Sequence, residues 1–305
     1  MRESGVNTMK HYKIYGMHFL SDFEFVQLPP LSEKETMEPV RFRILEGVIP
    51  KEYKRDSTCY SEIDTKVCFL SNSTCYLLVE NGSSITYEKK QGALESNLNA
   101  YLLGWGLAML CFQQGKPAIH CSCVADDRGA LLVSGRSGSG KSTVTSLLLA
   151  SGYTLVADDM VVVDIGTEKT AYALPAFPYQ KLCRDAAEQS RIPMEEMLYI
   201  DEKKDKFLVP YKGAFPKKPL SIRGMILLDW CEEEKIAVTE IVGVDKLYAC
   251  VDALFLRALF KDSLYRRENV EAGLKLASCI PIYLVSRSKE YHSASEVVDA
   301  IKRIE

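Results

Sequence analysis

One stretch constrains this chain more than any other. Gly135-Arg136-Ser137-Gly138-Ser139-Gly140-Lys141-Ser142 matches the phosphate-binding loop pattern G-x-x-x-x-G-K-[ST] at every fixed position. The pattern has physical meaning only between a strand and a helix, and the sequence supplies both. Ala130-Leu-Leu-Val-Ser134 is a short apolar strand, and Thr143 to Ala150 is a helix expected to stop near Gly152. In that setting the glycines let the backbone turn tightly and aim successive N–H groups at an anion, while the positive end of the helix adds to the same field. The expected nucleotide contacts are therefore Gly135, Ser137, Gly138, Ser139, Gly140, Lys141, Ser142 and Thr143. Lys141 is expected on the β- and γ-phosphates and Ser142 on Mg²⁺.

Composition excludes several other classes. The 305 residues are 47% hydrophobic and 26% charged, enough for a full core and for two domains. A net charge of −3 and no basic tract give no electrostatic footprint for a nucleic-acid partner. No run approaches the ~18 apolar residues that span a bilayer, and the apolar stretch Leu98 to Phe112 is shorter and carries Gly104 and Gly106. The 10 cysteines lack C-x₂-C spacing, and with no apolar signal segment the expectation is a cytoplasmic protein with reduced thiols. Cys121 and Cys123, two apart on a strand, share one face and are expected to pack in the core.

Read in order, the chain divides into a β-rich first part, residues 1–92, and a nucleotide-binding part, residues 93–305. Short β-rich runs occupy His11 to Phe19, Val40 to Glu46, Lys66 to Leu70, Thr74 to Glu80 and Ser84 to Glu88, and Asn81-Gly82 is a preferred hairpin turn. These predict a small antiparallel sheet. Helical spacing from Leu94 to Phe112 predicts a buried helix. Ala118 to Val124 reads as a strand that places His120 one hairpin away from the loop. Tyr153-Thr-Leu-Val-Ala157 is an apolar strand ending in Asp158-Asp159. Carboxylates at the carboxyl end of a strand in an α/β sheet are placed to hold Mg²⁺ or to take a proton from an attacking hydroxyl. Asp229, at the end of Gly224-Met-Ile-Leu-Leu, competes for the metal role, with the segment Lys235 to Glu240 expected to fold back as a hairpin. Helices are predicted over Tyr179 to Gln189, Val244 to Phe260 and Arg267 to Ala277, and a strand over Ile280 to Val285. The segment Met194 to Asp205 reads as a charged loop. A capping box at Ser293-Ala-Ser-Glu296 opens a last helix with Val297, Val298 and Ile301 facing inward.

Taken together, the strand with His120, the loop Gly135 to Ser142 and the run Gly152-Tyr-Thr-Leu-Val-Ala-Asp-Asp159 resemble the HPr serine kinase/phosphorylase family, whose fold is related to that of phosphoenolpyruvate carboxykinase. The resemblance covers about His120 to Asp164. It implies an α/β phosphate-loop kinase core with a mixed sheet, preceded here by the small antiparallel subdomain. It also implies ATP and Mg²⁺ as cofactors. By the same resemblance Lys141 contacts the phosphates, Ser142 and Asp159 hold Mg²⁺, Asp158 deprotonates the acceptor hydroxyl, and His120 sits near the transferred phosphate. Spacing alone does not distinguish the two aspartates. Ala171 to Arg184 occupies the region where the family carries a longer signature, and the first third is unlike the N-terminal domain of the bacterial carbohydrate regulators. The layout more nearly resembles the shorter HPr-kinase-related proteins associated with peptide modification.

The expected function is transfer of the γ-phosphoryl group of ATP to a hydroxyl, in first place a serine, of a protein or peptide. The alternatives are a nucleotide-dependent switch or ATPase, a non-catalytic ATP-binding docking module, and a kinase for a small-molecule hydroxyl. Neither H-R-D nor D-F-G occurs, which sets aside the eukaryotic protein-kinase design.

Overall fold

The computed structural model describes residues 9–29, 31–54, 60–188, 190, 192–200, 205–232, 235–260, 263–288 and 294–304. The chain forms two compact units, Met1–Gln114 and Gly115–Glu305.

Period-two alternation builds the first unit: in β3, for example, Phe42 and Ile44 are buried and Arg43 is exposed. Its strands are β1 (Lys10–Ile14), β2 (Met17–Ser21), β3 (Phe42–Glu46), β4 (Tyr60–Ile63), β5 (Val67–Ser71), β6 (Cys75–Glu80) and β7 (Ser84–Lys89), with the short helix α1 (Glu33–Thr36) between β2 and β3. They form one sheet in the order β1-β2-β3-β7-β6-β5-β4. The sheet is mixed rather than wholly antiparallel, because β3 pairs in parallel with both β2 and β7. Parallel neighbours need long crossovers, and turn residues in the sequence do not announce these. The run His11 to Phe19 is two strands, since Tyr15 and Gly16 take φ of 51° and 71° and reverse the chain. Asn81 and Gly82, at φ 53° and 59°, turn β6 into β7 as expected, with Ser83 as one extra loop residue.

Helix α2 (Glu95–Tyr101), a π-helical stretch over Leu102–Gly106 and α3 (Leu107–Gln113) run on without interruption, burying Leu98, Leu102, Leu107 and Leu110. Gln113 ties this helix to the β6–β7 hairpin: Nε2 donates to the Val79 carbonyl at 3.0 Å and Oε1 accepts from Gly82 N–H at 2.7 Å. The helix therefore belongs to the first unit, and the chain divides at Gln114/Gly115 rather than at the 92/93 boundary read from the sequence.

The second unit contains β8 (Ala118–Ile119), β9 (Cys121–Asp126), β10 (Gly129–Gly135), α4 (Lys141–Ala150), β11 (Thr154–Ala157), β12 (Val161–Ile165), β13 (Ala171–Leu174), β14 (Tyr179–Cys183), α5 (Arg184–Glu188), β15 (Leu198–Ile200), β16 (Lys206–Pro210), β17 (Leu220–Cys231), β18 (Ala237–Glu240), α6 (Gly243–Asp252), α7 (Arg257–Phe260), α8 (Arg267–Cys279), β19 (Ile282–Ser288) and α9 (Ala294–Lys302). Its main sheet runs β11-β9-β10-β17-β13-β12-β8, with β19 also on β17 and β18 on β19. β10, β17 and β19 are parallel neighbours, β9 runs against β10, and β11, antiparallel to β9, runs in the same direction as β10. The unit is thus the mixed α/β fold expected. Val144 and Leu148 of α4 with Val297, Val298 and Ile301 of α9 pack on Leu131, Val133, Ile226, Leu228 and Val285. Each such side chain contributes roughly 1.5–3 kcal/mol by leaving water. Ser293 of the expected capping box lies outside the described residues.

Four expectations are corrected. Val244 to Phe260 is not one helix: α6 ends at Asp252 and α7 begins at Arg257, with Leu254 between them bridged to Ile119. Tyr179 to Gln189 is not one helix but β14 followed by α5, because Tyr179–Cys183 pairs antiparallel with β16. Part of the expected loop Met194 to Asp205 is strand β15 on the other edge of β16. β18 pairs with β19 and not with the end of β17, so among the described residues Lys235 to Glu240 does not fold back on β17 as a hairpin.

Candidate active site

Strand polarity gathers the site. β9 runs antiparallel to β10, so the residue before β9 lies beside the residues that end β10; Cys121 pairs with Ser134, and Ser134 Oγ donates to the His120 carbonyl at 3.1 Å. β17 is parallel to β10, with Gly135 opposite Leu228, which brings Asp229 and Trp230 to the same end of the sheet.

The aspartate pair arrives by a break in a ladder. Cys123 pairs with Ala157 and Ile119 with Val161, so residues 120–122 and 158–160 face each other between two paired stretches. Ser122 therefore lies across from Asp158, and its hydroxyl donates to Asp158 Oδ1 at 2.5 Å. The break is a tight turn in which Met160 N–H donates to the Asp158 carbonyl at 2.8 Å. Asp159 sits at its centre with φ 65°. A non-glycine residue there is strained, and such strain is held where surrounding contacts enforce it. The turn sends the two carboxylates different ways. Asp158 Oδ2 accepts the Lys181 backbone N–H at 2.7 Å, whereas Asp159 Oδ2 lies 3.4 Å from the Lys181 ammonium.

Lys181 reaches the aspartates from the small sheet β14-β16-β15. Lys181 pairs with Leu208 and Cys183 with Lys206, so Lys181 and Lys206 share one face of that sheet. The opposite face, with Leu182, Phe207 and Val209, packs on Ala187 and Met197. An apolar core on one side thus fixes two lysines on the other.

The electrostatics follow from this crowding. Burial holds the Asp158 carboxyl above the ordinary carboxylate value, only partly offset by the donors Ser122 and Lys181 N–H. For Asp159 burial acts the same way, but the neighbouring positive charge of Lys181, followed by His120 and Lys206, outweighs it and holds the carboxyl below the ordinary value. His120 is held below its ordinary 6.5, mainly by burial and against the pull of Asp159, so it is neutral at pH 7 and the lysines carry the effect on Asp159. The imidazole stacks on Phe255 at 5.7 Å and 26° and keeps an exposed surface. Lys141 is lowered by burial, with Lys206 adding to the effect and Asp159 opposing it.

The loop itself has positive φ at Gly135, Gly138 and Gly140, 146°, 87° and 94°. A side chain at Gly135 would collide with the Leu228 carbonyl and Ser139 Oγ. Gly140 starts α4, whose end is marked by Gly152 at φ 99°. Lys141 Nζ donates to the carbonyls of Gly135 and Arg136 at 2.7 and 3.1 Å. Ser137, Gly138 and Thr143 are exposed and Ser142 is half-buried. Ser139 differs from its neighbours in the loop: it is 2% exposed, its N–H donates to the Arg136 carbonyl at 3.1 Å, and its hydroxyl is buried without a partner among the described residues. Cys121 and Cys123 are fully buried in the core, as expected, with thiols pushed well above their ordinary value by burial.

The structure thus brings together His120, Asp158, Asp159 and Lys141, and adds Ser122, Lys181 and Lys206. Ser122 had a signal, a polar residue alternating with two cysteines on an apolar strand. Lys181 and Lys206 had none, because the first lay in an expected helix and the second just after an expected loop. Asp229 lies at the end of β17 with its Oδ1 accepting the Trp230 N–H at 2.9 Å.

Among the described residues no helix is long and apolar enough to cross a membrane. No family model matches the chain, and no curated protein does. Among solved structures it is similar to the HPr(Ser) kinase/phosphatase from Coxiella burnetii, at 11% identity over 61% of this chain and 93% of that one, with a TM-score of 0.31. That likeness is distant and assigns no activity by itself.

Proposed function

We propose that this chain is a cytoplasmic ATP-dependent phosphotransferase that moves the γ-phosphoryl group of ATP to a serine hydroxyl of a protein or peptide. The observation that carries the reading is the convergence of Lys141, Lys181 and Lys206 on the Asp158–Asp159 turn at the mouth of the phosphate loop. Phosphoryl transfer spreads charge over the non-bridging oxygens, and fixed cations that need no reorganisation are what stabilises it. The acceptor class rests on the resemblance of Gly152 to Asp159 to the serine kinases.

In this reading the acceptor oxygen attacks the γ-phosphorus, the bond to the β–γ bridging oxygen breaks, ADP leaves, and the hydroxyl proton passes to Asp158. Its raised pKa suits a base, and each of its oxygens keeps a lone pair beyond the donors Ser122 and Lys181 N–H. Asp159, held ionised, and the Ser142 hydroxyl are hard oxygen donors that fit Mg²⁺. Among the described residues no cluster of three or more His, Cys, Asp or Glu could hold a metal, which suits an ion bound by one or two protein oxygens together with substrate phosphates. When bound, the ion would neutralise phosphate charge. Neutral His120 would donate one hydrogen bond to a phosphoryl oxygen.

The test is mass spectrometry of candidate acceptor proteins and peptides, those encoded near this gene first, after incubation with ATP and Mg²⁺. Phosphate on a serine, lost with Lys141→Ala, is the expected result. Phosphate release with no acceptor modified would replace this reading by a hydrolase or switch, and ATP binding without turnover by a binding module.

A further inference from the structure

Trp230 and Arg287 are register partners on the parallel strands β17 and β19. By alternation they continue the face that carries Ile226, Leu228 and Val285 into the core under α4 and α9. Past Leu228 that face meets the phosphate loop. There the Arg287 guanidinium lies over the Trp230 ring, 4.4 Å from its centroid, and Nη2 donates to the Ser139 carbonyl at 3.3 Å. A side chain at Gly140 would collide with the same Nη2, so the glycine that begins α4 is also what lets the arginine approach. Arg287 Nε is buried without a hydrogen-bond partner among the described residues. Among the described residues no carboxylate forms an ion pair with this side chain, and burial holds it below the ordinary arginine value.

A guanidinium with no counter-ion among the described residues, in a partly desolvated place, is costly to keep. Core packing does not account for it, because an apolar residue would stack on Trp230 without that cost. Its one polar contact in the loop is to a carbonyl, whose own peptide carries the N–H of Gly140. Fixing that peptide fixes the direction of the amides that begin α4. We infer that Arg287, seated on Trp230, is a positioning residue for nucleotide binding: it holds the Ser139–Gly140 peptide so that the loop amides stay aimed at phosphate, and it adds one positive charge beside them. The inference rests on the nucleotide-binding reading of the loop.

Two measurements separate the inference from that reading. The first is amide hydrogen exchange of residues 135–142 in the protein without nucleotide, which needs no ATP binding. Arg287→Ala should raise exchange there about threefold or more while the melting temperature stays near that of the parent. The second is ATP affinity by calorimetry, with Lys141→Ala in parallel. Arg287→Ala should weaken binding about tenfold, and Arg287→Lys should recover only part of this, since a lysine restores charge but not the flat stack on an indole. If Arg287→Ala does not fold, Arg287→Lys decides by the same two readouts. Unchanged exchange in the loop, or parent-like ATP affinity in Arg287→Ala where Lys141→Ala is impaired, overturns the inference. If the parent binds no ATP, the functional reading fails, and the exchange result still decides whether Arg287 braces the loop.

Discussion

Replacing Lys181 by methionine removes one ammonium while keeping the stem and the backbone N–H that Asp158 accepts. At 3.4 Å from Asp159, two unit charges attract by about 5 kcal/mol at an effective dielectric constant of about 20. Water reaches both partners, since 15% of the lysine side chain and 27% of the aspartate side chain are accessible, so the net loss should be nearer 1–2 kcal/mol. If the same charge also stabilises the transferring phosphoryl group, the rate falls about tenfold or more. The metal requirement should move in the opposite sense, because a cation competing for Asp159 has gone. The assay is a Mg²⁺ titration of transfer rate at saturating ATP, with a thermal melt on the same sample. Lys181→Met is expected to be slower at every Mg²⁺ concentration yet half-saturated at a lower one. Parent-like rate and Mg²⁺ requirement refute the argument. A large fall in melting temperature with normal turnover per folded molecule would make Lys181 a brace for the turn and nothing more.

Asp158→Asn should still bind ATP and Mg²⁺ but transfer phosphate about 10² to 10⁴ times more slowly, since the amide keeps the shape and cannot take the proton. Asp159→Asn should instead be partly rescued by higher Mg²⁺; rescue of the first variant and not the second reverses the two roles, and full activity of both moves the metal test to Asp229. His120→Ala should lower turnover with little change in melting temperature, and the opposite pattern in a paired melt and rate measurement would make it a packing residue on Phe255. The pH profile of transfer should be a bell. Asp158 is raised, so activity falls as pH drops through a value above the ordinary 3.8; Lys141 is lowered, so activity falls again as pH rises through a value below the ordinary 10.5. An acid limb unmoved in Asp158→Asn counts against the base assignment.

Much of this was legible in the chain because it is local. A loop whose glycines need φ of 87° and 94° at Gly138 and Gly140, with a strand before it and a helix after it, is written within one stretch of sequence, as are the strand ending in Asp158-Asp159 and the Asn81-Gly82 turn. Alternation and helical spacing likewise foretold that Val297, Val298 and Ile301 would be buried. Pairing over long separations decided the rest. Tyr179–Cys183 has no local reason to be extended and is a strand because Lys206–Pro210 pairs with it; that pairing alone carries Lys181 to the aspartates. Ser122 meets Asp158 because two ladders break at the same level, and Arg287 reaches the loop because β19 lies parallel beside β17. The sequence determined which stretch carries the phosphate-loop pattern between a strand and a helix and which carboxylates end a strand, since those depend on neighbours in the chain. Which cations surround those carboxylates, and therefore the direction in which each is titrated, only the tertiary structure decided, because charge acts through space and not along the backbone.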